Sequence, residues 1–395
     1  MAALPSDVII PEPELTTEQR LYSSRTTRYR WEVLTHDPAT GREALAGFLD
    51  GVTAGSVKWS SNTAVKGSGS VTVADLDVAQ PGYLTCSQVN LVNARIRPVL
   101  VIDGLPEIPL SVYVITAAPE TWATTGRSCT LELHDKATRL DQDAVTETFT
   151  APTDAPILTI IRQVIESAGE RIDVDPTVTD TLANARVYEV GTTKLAIVND
   201  LLDTLGWNSL WVDGQGAFRV TPYIRPAARP ITYDILNGLP RELVDGEQGI
   251  YTPNWTRDLD SFGVPNQVTA TASGSADAEP LTGIWQNTDP GSPYSYPSRG
   301  FWITTALTNV EVPDGTDQQK IAALNNRAWQ TGLAMSSPQA KVTVKHLPLP
   351  LRTSDVLRFR SIPAGIDARH VVTSISLDCQ PTGLMTTELQ EVIDL

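Results

Sequence analysis

The stretch RYRWEV, Arg28–Val33, places an apolar side chain at every second position. Successive side chains of a β-strand point to opposite faces, so this alternation predicts a strand with one buried and one solvated face. The same period of two recurs around Trp59, Val71 and Leu131, whereas 96–102 is apolar on both faces and is predicted to be a central strand. Many short strands separated by Gly, Pro and Asp turns predict a barrel or sandwich in this part of the chain.

From about residue 150 the apolar residues change to helical spacing. Ile157, Ile160 and Val164 predict one helix, for which Thr153 or Asp154 is the candidate N-cap. The rest of this region completes a small α+β domain. Its predicted parts are a strand at 171–174, a helix at 193–205 and a hairpin at 209–220, all within 146–228.

The last third of the chain is again β-rich. The stretch 287–300 is rich in Pro and Gly and is predicted to be a loop, whereas 225–262 has no assignable pattern. A helix is predicted at 317–335, with Leu324 and Ala328 on its apolar face. The strands predicted in this third are 267–272, 281–286, 301–305, 341–345, 356–360, 370–378 and 385–392.

Composition narrows the class of protein. A chain of 395 residues is too long for one ordinary core, so about two to four domains are expected. The formal net charge is −16 without a cluster of Lys and Arg, which argues against sequence-specific nucleic-acid binding. No stretch approaches the roughly 18 apolar residues of a membrane helix, so membrane insertion is not expected. The first residues lack a secretory signal pattern and, with Pro5, Pro11 and Pro13, predict an extended arm.

The three cysteines are widely scattered. Cys86, Cys129 and Cys379 match neither a disulfide framework nor a zinc motif. They are predicted to be buried or inert thiols, which is consistent with assembly in a reducing cytoplasm.

The sequence offers few groups for catalysis. His36, His134, His346 and His370 lie in no metal-ligand spacing, and neither a nucleophile elbow nor a phosphate-binding loop is present. We therefore assign no catalytic, cofactor-binding or metal-binding residue and do not expect an enzyme. Paired carboxylates could still bind Ca²⁺ or act as a glycosidase acid and base. These pairs, which turns in an acidic protein also produce, are Asp75 and Asp77, Asp141 and Asp143, Asp173 and Asp175, and Asp258 and Asp260.

Tryptophan residues leave a carbohydrate hypothesis open. Trp31, Trp59 and Trp211 fall on the apolar side of predicted strands and are expected in the core. Others lie near loops, where exposed aromatic side chains could bind carbohydrate: Trp255, Trp285 and Trp302.

Several short motifs occur in an order that resembles one protein family. They are RWEV at 30–33, GVTAGS at 51–56, KGSGSVTV at 66–73, RIRP at 95–98, LELHDK at 131–136, LL at 201–202, GW at 206–207, the hairpin LWV at 210–212 with Gly214 and Gly216, PY at 222–223 and PNQV at 265–268. Over about 25–395 the chain resembles the minor tail proteins of siphophages that infect actinobacteria, specifically the tail-tip or baseplate hub. That family is similar to the baseplate hub of contractile phages and to the hub region of type VI secretion spikes.

The resemblance implies a β-rich α+β, multi-domain fold with two tube-like β-barrel domains, a small α+β domain and a C-terminal β segment. The longer hubs carry an appended peptidase, lysozyme-like or fibre domain that is not found before Leu395, so receptor binding and wall cleavage are expected of other chains. The implied segments are an N-terminal arm at 1–23, the first barrel at 24–145, the α+β domain at 146–228, the second barrel at 229–345 with a helix near 317–335, and the C-terminal β segment at 346–395.

The resemblance also implies an assembly. Hubs of this kind are homotrimers that join the hexameric tail tube protein and distal tail protein to three-fold components of the tip. Their ring forms part of the DNA ejection channel, which the tape-measure protein plugs, and other minor tail or fibre proteins are further partners. The implied location is the tail tip of the virion, after assembly in the host cytoplasm. Because the chain is acidic, we also hypothesise that repeated copies around the channel limit adhesion of passing DNA.

Two alternatives remain open from the sequence. The first is a virion-associated tail protein that binds carbohydrate or a receptor through exposed aromatic residues. The second is a wall-degrading hydrolase that acts through Asp141 and Asp143.

Overall fold

The computed structural model describes residues 21, 25–74, 81–124, 126–172, 174–175, 177–182, 184–237, 251–259, 262–272, 280–310, 312, 315–335 and 340–392. The chain divides into two compact units. Unit 1 is Met1–Asn254 with Val344–Glu388, and unit 2 is Trp255–Thr343 with Leu389–Leu395.

Strands predominate over helices, so the chain is β-rich and multi-sheet, as predicted. Two short 3-10 helices occur at Cys86–Gln88 and Pro226–Ala228. The α-helices are α1 Ala137–Gln142, α2 Ile157–Glu166, α3 Lys194–Thr204, α4 Tyr296–Arg299 and α5 Asp317–Met335. The strands are β1 Thr27–Asp37, β2 Arg42–Leu49, β3 Val52–Ser60, β4 Gly67–Ala74, β5 Tyr83–Leu84, β6 Arg95–Ile102, β7 Ile108–Pro109, β8 Tyr113–Ala117, β9 Glu120–Ala123, β10 Gly126–Asp135, β11 Phe149–Ala151, β12 Arg186–Tyr188, β13 Trp211–Val212, β14 Phe218–Arg219, β15 Ile231–Asn237, β16 Tyr251–Asp258, β17 Gln267–Ala272, β18 Thr282–Gln286, β19 Thr304–Val310, β20 Lys341–His346, β21 Val356–Ser361, β22 Ile366–Asp378 and β23 Met385–Glu391.

One large sheet forms the centre of unit 1. Its strands follow the order β22, β3, β4, β10, β8, β6, β1, β2 and β5, and β21 joins β15 to β22. Trp31 and Val33 on β1 are buried, as the alternation predicts. Glu32 is also buried, although the alternation places it on the solvated face. Its carboxylate lies 2.6 Å from Arg97 Nε and 2.9 Å from Arg30 Nη2, which compensates its charge.

Glycine allows close packing at the centre of this sheet. A Cβ on Gly55 of β3 would lie 2.3 Å from the Trp31 ring, and a Cβ on Gly69 of β4 would lie 2.5 Å from Ser56 O. Any larger residue at Gly55 would displace the Trp31 indole. Two of the motifs that carry the family resemblance, at 30–33 and 51–56, therefore meet in space.

The C-terminal strands belong to the same sheet as the N-terminal ones. Strand β22 pairs antiparallel with β3, with Leu377 opposite Val57 and Ile375 opposite Trp59. The period of two predicts both strands correctly, but alternation carries no information about the partner of a strand more than 300 residues away.

The α+β part of unit 1 matches its predicted helices and hairpin. Helix α2 begins after Pro156, so the predicted cap at Thr153 or Asp154 is wrong, and Asp154 instead adopts a left-handed backbone with φ of 62°. Thr193 caps α3 as its Oγ accepts from the Ala196 amide at 3.2 Å. The strand predicted at 171–174 is reduced, in the part of the chain that the structure describes, to one bridge between Ile172 and Phe218.

The cysteines differ from the sequence prediction. Cys86, in the first 3-10 helix, and Cys129 on β10 form a disulfide with a Cα–Cα distance of 6.6 Å. Cys379 is a free, buried thiol. The spacing of 43 residues gives no motif, so the pairing becomes visible only when the fold brings the 3-10 helix and β10 together.

Unit 2 contains a three-stranded sheet covered by one helix. Strand β17 lies between β18, which is antiparallel to it, and β19, which is parallel to it. Leu324 and Ala328 of α5 are fully buried with Val268 and Ala270 of β17. The helix prediction at 317–335 is confirmed, and the stretch predicted as a loop at 287–300 also contains the single turn α4.

Two glycines set the distance between α5 and the sheet. A Cβ on Gly332 would lie 2.1 Å from the Trp285 ring, and a Cβ on Gly283 of β18 would lie 2.4 Å from the Asn325 amide nitrogen. The Asn325 side chain also accepts a hydrogen bond from the Ile284 amide at 2.8 Å. The helix therefore contacts β18 through its backbone.

Replacing Gly332 with Ala tests this contact. Helix propensity alone would favour Ala by about 0.5–1 kcal/mol, whereas the clash with Trp285 should cost about 1–3 kcal/mol. We expect net destabilisation, measured as a lower midpoint of urea unfolding. The control is Gln330→Ala on the exposed side of α5. A Gly332→Ala protein as stable as this control would contradict the packing.

Candidate functional site

Five ionisable side chains come together inside unit 1, and we call them the charge cluster: His36, Glu43, Arg95, Lys136 and Glu170. The first three lie on β1, β2 and β6, Lys136 lies between β10 and α1, and Glu170 follows α2. Their side chains are at most 12% exposed. The charge cluster therefore joins the large sheet to the α+β part of unit 1.

A close approach of two backbone segments places Glu170. Gly41, in the β1–β2 turn, has a φ of 65°, and a Cβ there would lie 2.8 Å from Arg171 N. Gly169, three residues after the end of α2, has a φ of 72°, and a Cβ there would lie 3.0 Å from Pro38 O. Both positions favour glycine because other residues rarely adopt a left-handed backbone. The α2 terminus thus rests directly on the β1–β2 turn.

The ion pairs of the charge cluster are balanced. Arg95 Nη2 lies 2.8 Å from Glu170 Oε1, and Lys136 Nζ lies 3.0 Å from Glu170 Oε2. Lys136 Nζ also lies 2.9 Å from Glu43 Oε1 and 5.2 Å from the centre of the Phe218 ring. Two cations therefore face two carboxylates, and the net charge is zero when His36 is neutral.

His36 is the remaining member of the charge cluster. Its Nε2 lies 3.9 Å from Glu170 Oε1, and its side chain is fully buried. Burial lowers the pKa of His36, the Glu170 carboxylate opposes this effect, and Arg95 adds to it. The imidazole is therefore neutral at neutral pH.

The charge cluster does not fit a metal ion. Ligand atoms of His36, Glu43 and Glu170 lie within 4.8 Å of one another, which is a spacing that a cation could bridge. The carboxylates already face Arg95 and Lys136, so a divalent ion would add two uncompensated charges to a buried site. The arrangement instead stabilises the contact between the sheet and the α+β part.

The carboxylate pairs proposed from the sequence do not form a catalytic arrangement among the described residues. Asp143 Oδ2 lies 2.6 Å from Lys194 Nζ, and Asp141 lies in α1. Asp175 accepts from the backbone and hydroxyl of Thr177. Asp258 is exposed at the end of β16. Four members lie outside the described residues: Asp75, Asp77, Asp173 and Asp260.

The three histidines outside the charge cluster lie in separate environments. His134 is exposed on β10, and His370 packs edge-on against Phe359. His346 is fully buried, with Nδ1 2.7 Å from Leu347 O and Nε2 2.7 Å from Thr387 Oγ1. Burial lowers the pKa of His346 to about 4.

The tryptophans expected in the core divide into two groups. Trp31 is buried, as predicted, but Trp59 and Trp211 are only partly buried and line a groove in unit 1. We call it the Trp211 groove. Its middle is formed by Lys66, Trp211 and Arg352. Its apolar end is lined by Ile108, Leu110, Leu349 and Leu351, and its polar end by Ser61, Asn62, Asn208, Ser209 and Thr221.

Unit 2 carries a group of aromatic side chains from two stretches of the chain, at 262 and at 296–302, which we call the aromatic loop: the exposed Phe262, Tyr296 and Phe301 and the partly buried Trp302. Phe262 is 74% exposed and lies 6.1 Å from Phe301 between ring centres, and Tyr296 stacks on Trp302 at 4.4 Å. The buried Asn266 side chain bonds Phe301 O at 3.0 Å and the Ile303 amide at 2.7 Å. Polar contacts thus order the loop that presents these rings.

Sequence reasoning missed the charge cluster and the most exposed tryptophan. Arg95 begins the largely apolar strand β6 and Lys136 directly follows β10. An ionisable group next to a strand with buried residues is the only sequence signal for either side chain. Trp122 is 72% exposed on β9 beneath the Arg127 guanidinium, whose carbon lies 5.1 Å from the indole centre.

Comparison with known proteins gives the fold. No family model matches the sequence, and no curated protein sequence matches it. A tail protein from Neisseria meningitidis MC58 is similar in structure, with a TM-score of 0.58 and 14% identity over 92% of this chain and 97% of that one. The 43 kDa tail protein of prophage MuSo2 from Shewanella oneidensis has a TM-score of 0.58 and 13% identity over 91% and 98%.

A third structure, the half-lidded Francisella PdpA–VgrG complex, contains a chain with a TM-score of 0.51 and 8% identity. The alignment covers 96% of this chain and 61% of that chain. The fold of the present chain is therefore shared with these tail proteins, one of which belongs to a prophage, and this agrees with the coarser part of the sequence resemblance. None of the helices in the described part of the chain is long and apolar enough to cross a membrane.

Replacing Glu170 with Gln tests the charge cluster. The change leaves Arg95 and Lys136 buried with one carboxylate between them, which should destabilise unit 1 by about 3–5 kcal/mol in urea unfolding. The control is Glu120→Gln, whose partner Arg127 and own carboxylate are 22% and 41% exposed, and for which less than about 1 kcal/mol is expected. Adding Lys136→Met to Glu170→Gln should recover part of the loss. Equal effects of Glu170→Gln and Glu120→Gln would contradict the assignment.

The pH dependence of stability tests His346. Its pKa is about 4 in the fold and 6.5 in the unfolded chain, so the unfolded state binds the proton first as the pH falls. Stability contributed by neutral His346 is present above pH 6.5 and is lost toward pH 4. Relative to His346→Gln, the wild type should lose about 3 kcal/mol over this range.

The comparison with His346→Gln is needed because Asp135 changes the stability with pH in the opposite direction to His346. Burial raises the pKa of Asp135 to about 6, so its contribution is lost as the pH rises through this value. Subtracting the two urea-unfolding curves cancels the effect of Asp135. A difference between wild type and variant that does not change between pH 4 and 6.5 would refute the assignment.

Proposed function

We propose that this protein is a structural tail-tip hub of a phage virion and has no catalytic role. The observation that carries the proposal is the shared fold with two phage tail proteins, which covers more than nine tenths of each chain. The balanced ion pairs of the charge cluster support a structural role for the most polar buried site.

The proposed assembly is a homotrimer in a siphophage tail. Each chain contributes two barrel domains, at 24–145 and 229–345, to a ring that adapts the hexameric tail tube protein and distal tail protein to three-fold components. The ring forms part of the DNA ejection channel and contacts the tape-measure protein and other minor tail or fibre proteins. Closed rings of this kind also cover exposed strand edges, which is a physical reason for their stability.

Two measurements test the hub. Light scattering of the purified chain should give three times the mass of one chain, and electron microscopy of particles should place it on the tail axis at the tip. Labelling of the chain with a bound antibody fragment identifies its density. A monomer at particle-like concentrations together with peripheral density would refute the hub.

The aromatic loop of unit 2 supports a second candidate, a tail protein that binds a carbohydrate receptor. Exposed, ordered aromatic rings are a common surface for sugars, since one face of a sugar ring is apolar. Replacing Phe262 and Phe301 with Ser should abolish adsorption of particles to cells on this hypothesis. For a hub, particles carrying these changes should adsorb normally. Trp122→Ser, an exposed aromatic on unit 1, is the matched control.

The net charge of −16 motivates the proposal that the channel wall is acidic and limits adhesion of DNA. A structure of the assembled tip would test it directly. A neutral or basic lumen would overturn this part of the proposal and leave the hub itself unaffected.

A further inference from the structure

The disulfide of unit 1 joins two cysteines that a reducing cytoplasm would keep as thiols. Cys86 and Cys129 are bonded to each other, whereas such bonds are rare in proteins that stay in the cytosol. On the proposed function the chain occupies two compartments in turn, because a virion protein is assembled inside the host cell and acts outside it. The oxidation state of this pair is therefore expected to change when the particle leaves the cell.

One sulfur of the pair belongs to a segment at the edge of the large sheet. We call residues 81–94 the latch segment, and it contains β5 and the first 3-10 helix. Strand β5 pairs with β2 over two residues only, and the Phe48 and Tyr83 rings lie 5.6 Å apart. At the other end of the segment, Asn93 Nδ2 donates to His36 O at 2.9 Å. The disulfide adds a covalent attachment to β10.

Most residues of the latch segment face solvent. Tyr83, Leu91 and Val92 are 37%, 40% and 88% exposed, respectively. The Thr85 amide donates to the Gln88 side chain, a bond that stays within the segment and does not hold it to the sheet. A segment with few buried apolar contacts opens at a low cost in free energy, so the disulfide is what opposes its opening.

The other sulfur of the pair belongs to a strand that is fixed on both sides. Cys129 lies on β10, which pairs with β4 on one side and with β9 on the other. Cys129 is 1% exposed and Cys86 is 3% exposed, so a dissolved reagent reaches either sulfur only when the latch segment opens. The dithiol form permits this opening, and the disulfide form opposes it.

We propose that Cys86 and Cys129 form a redox latch that fastens the latch segment to β10 after the virion leaves the reducing host cytoplasm. The oxidant is a small-molecule disulfide, RSSR. The thiolate of one cysteine attacks RSSR, forms a mixed disulfide and releases the first RSH. The thiolate of the second cysteine attacks the protein sulfur of this mixed disulfide and releases the second RSH. Two electrons pass from the cysteines to RSSR, and the two cysteine protons end on the two RSH molecules.

The latch closes in one direction. In the dithiol form the segment opens and admits the oxidant, whereas in the disulfide form the closed segment shields both sulfurs from thiol reductants. The timing rests on the proposed function, but the latch itself is a property of the chain.

Hydrogen exchange of the purified full-length chain tests the latch. The Phe48 and Asp50 amides donate to Gly82 O and Leu84 O at 3.1 Å, so their exchange reports opening of the latch segment. Reduction with a phosphine should raise both exchange rates at least about tenfold, because local opening is no longer opposed by the bond. The amide of Val57, on a strand paired on both sides, is the internal control and should not change. Equal rates for the oxidised and reduced protein would overturn the latch.

Substitution of the cysteines gives an independent measurement. Cys86→Ala with Cys129→Ala should exchange as fast as the reduced wild type without any reductant. Cys379→Ala, at the free buried cysteine, is the matched control and should exchange like the oxidised wild type. Slow exchange at Phe48 in the double variant would contradict the role assigned to the bond. Reduction of the wild type needs no substitution, so the test stays decisive if the double variant does not fold.

Alkylation at the time of lysis tests when the latch closes. N-ethylmaleimide in denaturant is added to infected cells and, separately, to released particles, and peptide mass spectrometry identifies the state of each cysteine. Alkylated Cys86 and Cys129 are expected inside cells, and the disulfide-linked pair is expected in particles. A linked pair inside cells, or alkylated cysteines in particles, would overturn the timing. Particles that lack the chain would refute the hub and leave the exchange result of the purified chain standing.

Discussion

Strand β22 is the element on which unit 1 most depends. Its 13 residues hydrogen-bond with β21, β3 and β23, so one strand completes three pairings. Removing it would leave a row of unpaired backbone groups on β3, each of which costs free energy when it is buried. Without β22, strand β3 has no hydrogen-bonding partner on one side. The large sheet can therefore form completely only when the C-terminal part of the chain is present.

This dependence explains which parts of the fold the sequence predicts. The helices at 157–166 and 194–204 and the strands around 28–33 follow from periodicity, because period 3.6 and period 2 are local properties. The pairing of β3 with β22 is not local, and several register choices satisfy the same alternation. Glu32 shows a further limit of prediction from alternation. The alternation places its carboxylate on the solvated face, and its burial can be understood only when Arg97 is known to lie opposite on β6.

The candidate sites were harder to predict for a related reason. Arg95, Lys136 and Glu170 are separated by tens of residues and form no motif, yet burial makes them a single interacting group. Each cation compensates a carboxylate that would otherwise be costly to bury, so the cluster constrains the sheet and the α+β part to one arrangement. Sequence reasoning considered carboxylate pairs at i and i+2 without assigning a site to them, and Asp143 and Asp175 contact Lys194 and Thr177.

The similarity to tail proteins at 13–14% identity indicates what such a fold requires of its sequence. Alternating apolar positions can be filled by many residues, whereas Gly55 against Trp31 and Gly332 against Trp285 leave space for no other side chain. Because packing tolerates so much substitution, fold similarity alone does not carry contact residues from one tail protein to another. The partners of this chain must therefore be sought on its own surfaces, such as the aromatic loop and the Trp211 groove.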